Sequence, residues 1–437
     1  MLDVSIGMRF RAHRFRNSFF AITALVAIFA PQLFFSISGL VGFEYAGSEE
    51  SPVYVRFIVL TFALVFIVLV FSYMKKPRLS GAEIGFYLFF FLLIINHLVW
   101  ALFDNVGTQL WPANLILFFS MGVTGFMAAR VIHAYDLWEE VIKVTEVLML
   151  IMAIGLIVAI VQPFLMGLRV RGIGGASYQA ASYYAAMCYG MIGLATFRLP
   201  KEWRFRFLRN RIVALVNMAI MAALFVVVLV NGGRGAFVLL VVYTAIIVYW
   251  IATKGGWTWS GVFRLMAVVL TVPILLSIAL QKVFSDPILA AGWRRAVAFI
   301  GSADGGLIDL EGGSSGRDRV YARTIHAISE SPWLGYGAFG HWEKIGQPHN
   351  LFLDLAVQFG IPAAIGIIVV VSIALMFKLR NFPNLSVEQV WLMVLFLYPM
   401  VNLMFSGGYF RSSLFWFCLA GLFFIMTPKR MGSVRFP

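Results

Sequence analysis

The chain has 437 residues, of which 61% are hydrophobic and 12% charged, with a formal net charge of +14 and a mean hydropathy of +0.89. Such a composition lies far outside the soluble globular range and excludes a water-soluble enzyme or binding module. The positive balance does not point to nucleic acid, because the basic residues gather in short clusters between apolar runs, where they orient a membrane protein.

A hydrocarbon core about 30 Å thick takes roughly 20 apolar residues per helix. Segments 18-42, 57-73, 84-103, 113-129, 144-168, 179-197, 212-231, 236-252, 265-281, 351-376, 389-405 and 414-427 meet that requirement. The expected fold is therefore an all-α polytopic membrane protein with about 12 transmembrane helices. Its expected divisions are helices 1 to 9 (1-281), one long loop between helices 9 and 10 (282-350) and helices 10 to 12 (351-437). Arg9, Arg11, Arg14 and Arg16 precede the first run, which is long and lacks a small-residue cleavage site, so it reads as a retained helix. Cys188 and Cys418 both fall inside apolar runs, which leaves no disulfide framework and no thiolate metal cluster.

With the amino terminus in the cytoplasm, 22 of the 34 basic residues fall inside, six of them in "RLPKEWRFRFLRNR" (198-211). Both termini are then cytoplasmic by the positive-inside rule. Seven outer basic residues lie in the 282-350 loop, long enough to cross regardless of charge; the others are Arg56, Arg169, Arg171, Arg234 and Arg411. Arg56 reads as a snorkelling residue at a helix start. The other four oppose the orientation signal. Headgroup contact is the plain explanation, whereas anion binding fits Arg171 and Arg234 better, because glycines accompany each: "RGIGG" (171-175) and "NGGRG" (231-235) can present both amides and a guanidinium.

In the long loop, "RDRVYARTIHAISE" (317-330) has helical spacing, Ser331-Pro332 ends it, and "GYGAFG" (335-340) supplies a flexible turn before Pro348 and His349. No H-E-x-x-H, phosphate-loop or dinucleotide fingerprint occurs. Asp309-Leu310-Glu311 and Glu49-Glu50 read as solvated loop carboxylates rather than ligands, so neither metal nor cofactor is expected. Taken alone, His349 reads as a capping or interfacial histidine.

The run "GRDRVYARTIHAISESPWLGYGAFG" followed by "PHNLFLDLAVQFGIPAAIG" resembles the bacterial O-antigen ligase and O-antigen polymerase superfamily. The matching positions are Gly316-Arg317, Pro332 with Gly335 and Gly337, His349-Asn350, Asp354 and Gly360; "GGRGAFVLL" (232-240) and "RVRGIGGASYQAASYYAAM" (169-187) match its two outer arginine segments. Ser177-Tyr178-Gln179 stands where the family has proline-asparagine. The resemblance implies that the 282-350 loop is periplasmic and that the protein sits in the bacterial inner membrane. There it would move a glycan from undecaprenyl diphosphate, with inversion and without metal, to an acceptor hydroxyl on another glycan or on lipid A-core. Its partners would be those lipid-linked and glycan substrates and the membrane lipids, with no nucleic acid.

On that reading Arg234 and Arg171 bind the diphosphate, because guanidinium stays protonated and grips phosphate oxygens bidentately. Arg317 is a third contact, and Arg169, Arg411, Asn350 and Asp354 are further substrate-binding candidates. His349 becomes the proton acceptor for the hydroxyl. "FSGGYFRSSLFWFCLAGL" (405-422) resembles the polymerase members, which favours polymerase over ligase. A lipid-linked oligosaccharide flippase is the competing class, weakened by the lack of an internal repeat and the scarcity of ionisable residues at helix centres.

Overall fold

The computed structural model describes residues 16–41, 52–75, 79–103, 115–161, 166, 177–253, 285, 287, 290, 317–338, 345–379 and 385–425. Every regular element among them is helical: α1 (Arg16–Ile28), α2 (Ala30–Leu40), α3 (Pro52–Lys75), α4 (Gly81–Phe103), α5 (Leu115–Tyr135), α6 (Trp138–Val161), α7 (Tyr178–Phe197), α8 (Arg211–Asn231), α9 (Arg234–Thr253), α10 (Arg317–Glu330), α11 (Leu351–Phe359), α12 (Ile361–Leu379), α13 (Val387–Phe405) and α14 (Ser413–Ile425). Seven of these, α3, α4, α5, α6, α8, α9 and α13, are long and apolar enough to cross a membrane, or eight if the bent pair α1 and α2 counts as one span. The protein is thus an all-helical, multi-pass membrane protein.

The helix count differs from the twelve expected spans at identifiable places. The first run breaks at Phe29, two residues after which Pro31 has no amide to donate and its ring crowds the preceding carbonyls. The tenth breaks at Gly360, whose φ of +79° separates α11 from α12. α12 is an apolar helix of 19 residues, and the described part of α14, Ser413–Ile425, is shorter than a full span. α7 is long enough at 20 residues but too polar to count. Segment 265-281 lies outside the described residues.

The chain divides into two compact units. The first comprises Met1–Ala30, Arg56–Val141 and Ser314–Pro437. Its centre is the seam between α5 and α14, where small residues let the backbones meet. A Cβ on Gly122 would stand 2.5 Å from the Phe410 carbonyl, and one on Gly125 would strike the Ser413 carbonyl. Within α5, residues Phe118–Val123 form a π-helical segment. Such a segment displaces carbonyls from their usual amides, and in an apolar surrounding each needs another donor. Hydroxyls fill that need: Ser413 Oγ donates to the Met121 carbonyl at 2.5 Å, Ser120 Oγ to Ile116 at 2.7 Å and Thr124 Oγ1 to Ser120 at 2.8 Å. Phe86, Phe90, Phe118, Phe126 and Trp416 pack edge to face and tilted around the seam, the preferred geometries for aromatic pairs. Arg130, 1% exposed, pairs with Glu83 and lies 4.6 Å from the centre of the Tyr73 ring.

The second unit, Pro31–Val55 and Ile142–Gly313, is organised around α7, which lies between α8 and α9. Its small residues admit the partners: a Cβ on Gly190 would sit 2.5 Å from the Tyr243 ring of α9, and one on Gly193 would collide with Ile247. Its polar groups meet polar groups, Tyr189 with Thr244 at 3.1 Å and Thr196 with the Asn217 amide at 3.0 Å. Arg204 grips Glu146 with its Nε and Nη2 at 2.6–3.1 Å, a bidentate pair that ties the basic 198-211 segment to α6.

Gly125→Ala is expected to lower stability by about 1–3 kcal/mol, since its methyl has only backbone to displace. The reading is a lower thermal midpoint in detergent, against a Gly85→Ala control, where open space surrounds the position and the midpoint stays level or rises.

Candidate active site

The first unit assembles its polar groups around α11. Asn350 caps that helix: its Oδ1 accepts from the Phe352 and Leu353 amides at 3.0 and 3.2 Å. At the other end, the Tyr336 amide donates to the Val357 carbonyl and the Gly337 amide to the Gln358 carbonyl, both at 2.9 Å, and the Ile361 amide donates back to Pro332 at 2.8 Å. The Pro332–Ala338 turn therefore clasps the last carbonyls of α11. Gly335 at φ +65° and Gly360 at φ +79° are needed there, because a Cβ on either would press into the opposing backbone. The turn is thus a fitted clasp, not the flexible connection its glycines suggest. It is fixed from outside by α4, where Asn96 Oδ1 accepts from the Ala338 amide at 2.9 Å and His97 Nδ1 bonds the Ala338 carbonyl at 2.6 Å. Ala327 and Ile328 of α10 close a small apolar core with Ile345 and Val357.

His349 stands just before this clasped helix with φ +54°, a left-handed conformation rare for any residue but glycine. Its ring is half-buried, and Nδ1 lies 3.0 Å from the Ser406 carbonyl. A carbonyl can only accept, so Nδ1 carries the proton and Nε2 is the basic nitrogen. Ser406 ends α13, its amide bonded to Asn402 at 2.7 Å. It opens the turn that leads to Tyr409 and Arg411, whose half-buried guanidinium lies 5.4 Å from the Phe410 ring centre.

Asp354 is 2% exposed in the first turn of α11, where the helix dipole favours a negative charge. Its Oδ1 accepts from Gln358 Nε2 at 2.8 Å, and Gln358 Oε1 in turn accepts from Tyr409 Oη at 2.6 Å. Burial and the neighbouring Asp354 push the Tyr409 hydroxyl well above the ordinary tyrosine pKa. The first unit thus brings His349, Asn350, Asp354 and the Arg411 turn together. Arg317 is the first residue of α10, on the order of 15 Å along that helix from the contact at Ala327. Gln358, Tyr409 and Ser406 were not singled out from sequence. The i, i+4 spacing of Asp354 and Gln358 on an apolar helix was the available signal.

In the second unit, Arg234 is the half-buried first residue of α9. Gly232, at φ +67°, ends α8 with its amide on Val228 at 2.9 Å, and a Cβ on Gly233 would stand 2.8 Å from Ser182 of α7. The guanidinium therefore issues from a tight turn at the positive end of a helix dipole, an arrangement suited to an anion. Asn231 beside it is wholly buried, and neither its Oδ1 nor its Nδ2 has a partner among the described residues. Arg169, Arg171, Glu49, Glu50, Asp309 and Glu311 lie outside the described residues.

An all-helical, multi-pass protein with an oriented imidazole at the entry of a clasped helix is the class that these features define. Residues 219–368 match the family model described as O-antigen ligase. That stretch carries Arg234, Arg317, His349, Asn350 and Asp354, and the match bears out the resemblance to the ligase and polymerase superfamily. The family points to a membrane glycosyltransferase of the O-antigen ligase/polymerase type, with a lipid-linked glycan and an acceptor as substrates. No curated protein matches the chain.

A left-handed histidine costs about 1–2 kcal/mol of backbone strain that glycine does not suffer. His349→Gly is therefore expected to be more thermostable than His349→Ala, the reverse of the usual glycine and alanine order, as differential scanning fluorimetry of the two purified variants will show.

Proposed function

We propose that this protein is a surface-polysaccharide polymerase of the bacterial inner membrane. It transfers a glycan from undecaprenyl diphosphate to the hydroxyl of another lipid-linked glycan at the periplasmic face, both termini lying in the cytoplasm. One observation carries this reading: the Nδ1 hydrogen bond to Ser406, which leaves Nε2 of His349 as the proton acceptor. Nε2 takes the hydroxyl proton as the acceptor oxygen attacks the anomeric carbon. The bond from that carbon to the diphosphate oxygen breaks on the opposite face, and the configuration inverts. An imidazole suits this step because its pKa lies near the working pH.

The departing diphosphate gains negative charge, which preorganised cations stabilise better than water does. Arg234 takes that role, with Arg171 and Arg317 as further contacts and Arg169 and Arg411 as secondary ones. The carboxyl-terminal 405-422 segment supports the polymerase assignment. Ligation to lipid A-core is the second reading, favoured by the description of the matched family.

His349→Ala and Arg234→Ala are each expected to lower glycan transfer in detergent by at least about 100-fold while inserting normally; full activity in either overturns its role. The base must be neutral, so kcat/KM should fall tenfold per pH unit below the His349 pKa and level off above it. In a deletion strain, lipopolysaccharide reduced to core plus one repeat indicates a polymerase. Core without any O-antigen indicates the ligase, and purified protein that forms no glycosidic bond from donor and acceptor indicates a flippase.

A further inference from the structure

The side chains of the Asp354–Gln358–Tyr409 network are all at most 2% exposed, whereas those of His349, Arg234 and Arg411 are half-buried. Buried polar chains of this kind contribute little net stability, since apolar side chains of the same volume serve as well or better. Their use is to specify one arrangement. Here the arrangement has a direction. The Asp354 carboxylate accepts, so the Gln358 amide must turn its Nε2 inward at 2.8 Å; its Oε1 then faces Tyr409 and fixes the hydroxyl as donor at 2.6 Å. Tyr409 keeps its proton throughout the physiological range, because burial and the Asp354 charge both oppose ionisation.

Both ends of the His349 contact depend on Gln358. The histidine is joined covalently to α11, whose last turn Gln358 occupies, with its carbonyl clasped by Gly337. The acceptor carbonyl of Ser406 lies three residues before Tyr409, in the turn that Tyr409 pins to the same glutamine. The backbone carbonyl of Tyr409 is itself held by Trp416 Nε1 at 2.9 Å, so that turn is anchored at both its side chain and its main chain. A second point of approach lies alongside, where a Cβ on Gly408 would stand 2.8 Å from Gln347 Nε2.

We infer that Asp354, Gln358 and Tyr409 are positioning residues, which hold the Ser406 carbonyl against Nδ1 of His349 and so keep Nε2 free of a proton and aimed at the acceptor hydroxyl. The inference rests on His349 acting as the base. If the turn loosens, Nδ1–H loses its acceptor. The imidazole then divides its time between tautomers, and its protonated form loses a hydrogen bond, which lowers its pKa.

The test is the triple variant Asp354→Leu, Gln358→Leu, Tyr409→Phe, which removes the hydrogen bonds of the network together, with Tyr409→Phe alone beside it. In the full-length protein in detergent, the triple variant should keep a cooperative thermal transition. Its kcat should fall about tenfold or more at unchanged donor KM, with the acid limb of kcat/KM moved to lower pH. In protein carrying ¹⁵N-histidine, the His349 ring shifts should move from the Nδ1–H tautomer towards an average of the two. Tyr409→Phe should show the same changes at a lower midpoint. A triple variant with wild-type kcat, pH profile and ring shifts, beside an inactive His349→Ala, overturns this inference alone. An active His349→Ala overturns the base assignment and this inference with it.

Discussion

The last turn of α11 ends in carbonyls with no helical partner, and the rest of the candidate site depends on how the protein satisfies them. Two backbone hydrogen bonds from the Pro332–Ala338 turn, to Val357 and Gln358, do so, and a third runs back from the Ile361 amide to the Pro332 carbonyl. In an apolar surrounding each lost bond of this kind costs several kcal/mol, so the turn and the helix end form one object. Glycine is the only residue that admits such an approach at 335 and 360, because the opposing backbone occupies the space of a side chain. A helix of nine residues becomes a rigid support by this means, held at one end by its clasp and at the other by the Asn350 cap. His349 is the residue just outside that cap, and its left-handed backbone turns the ring towards Ser406.

Charge is placed in the interior with a partner in each unit. Glu83 meets Arg130 in the first and Glu146 meets Arg204 in the second. Such pairs add little to net stability once desolvation is counted, but losing one member leaves a buried charge alone. The first pair joins α4 to α5, and the second joins the 198-211 segment to α6. Asp354 accepts from a neutral amide, which passes the polarity on to a tyrosine.

Much of the helical plan was legible in the sequence, because apolar length is the property that both the bilayer and a hydropathy reading respond to. α3, α4, α8, α9 and α13 follow their expected segments to within a few residues, whereas α5 ends six residues later than expected, at Tyr135, and α6 begins six residues earlier, at Trp138. Hydropathy is blind to backbone breaks, so the bend at Phe29 and the separation of α11 from α12 at Gly360 appear only in three dimensions, although Pro31 and Gly360 mark both. The π-helical turn in α5 has no sequence period of its own. At the site, the motif residues His349, Asn350 and Asp354 were readable as neighbours along the chain. The partners that define their chemistry, Ser406 and Tyr409, come from more than fifty residues away and had no local pattern to announce them. The glycines of the 335-340 stretch were legible as a turn but not as a clasp, since close approach depends on what lies opposite.

The polarity of α7 has a consequence for how the protein is made. A segment carrying Tyr178, Gln179, Ser182, Tyr183 and Tyr184 gains too little from lipid to stay in a bilayer unaided, yet its glycines and alanines fit closely against α8 and α9. Those two helices emerge from the ribosome after it. The surface that accepts the small and polar groups of α7 is therefore complete only once the chain has been made through Thr253, the end of α9.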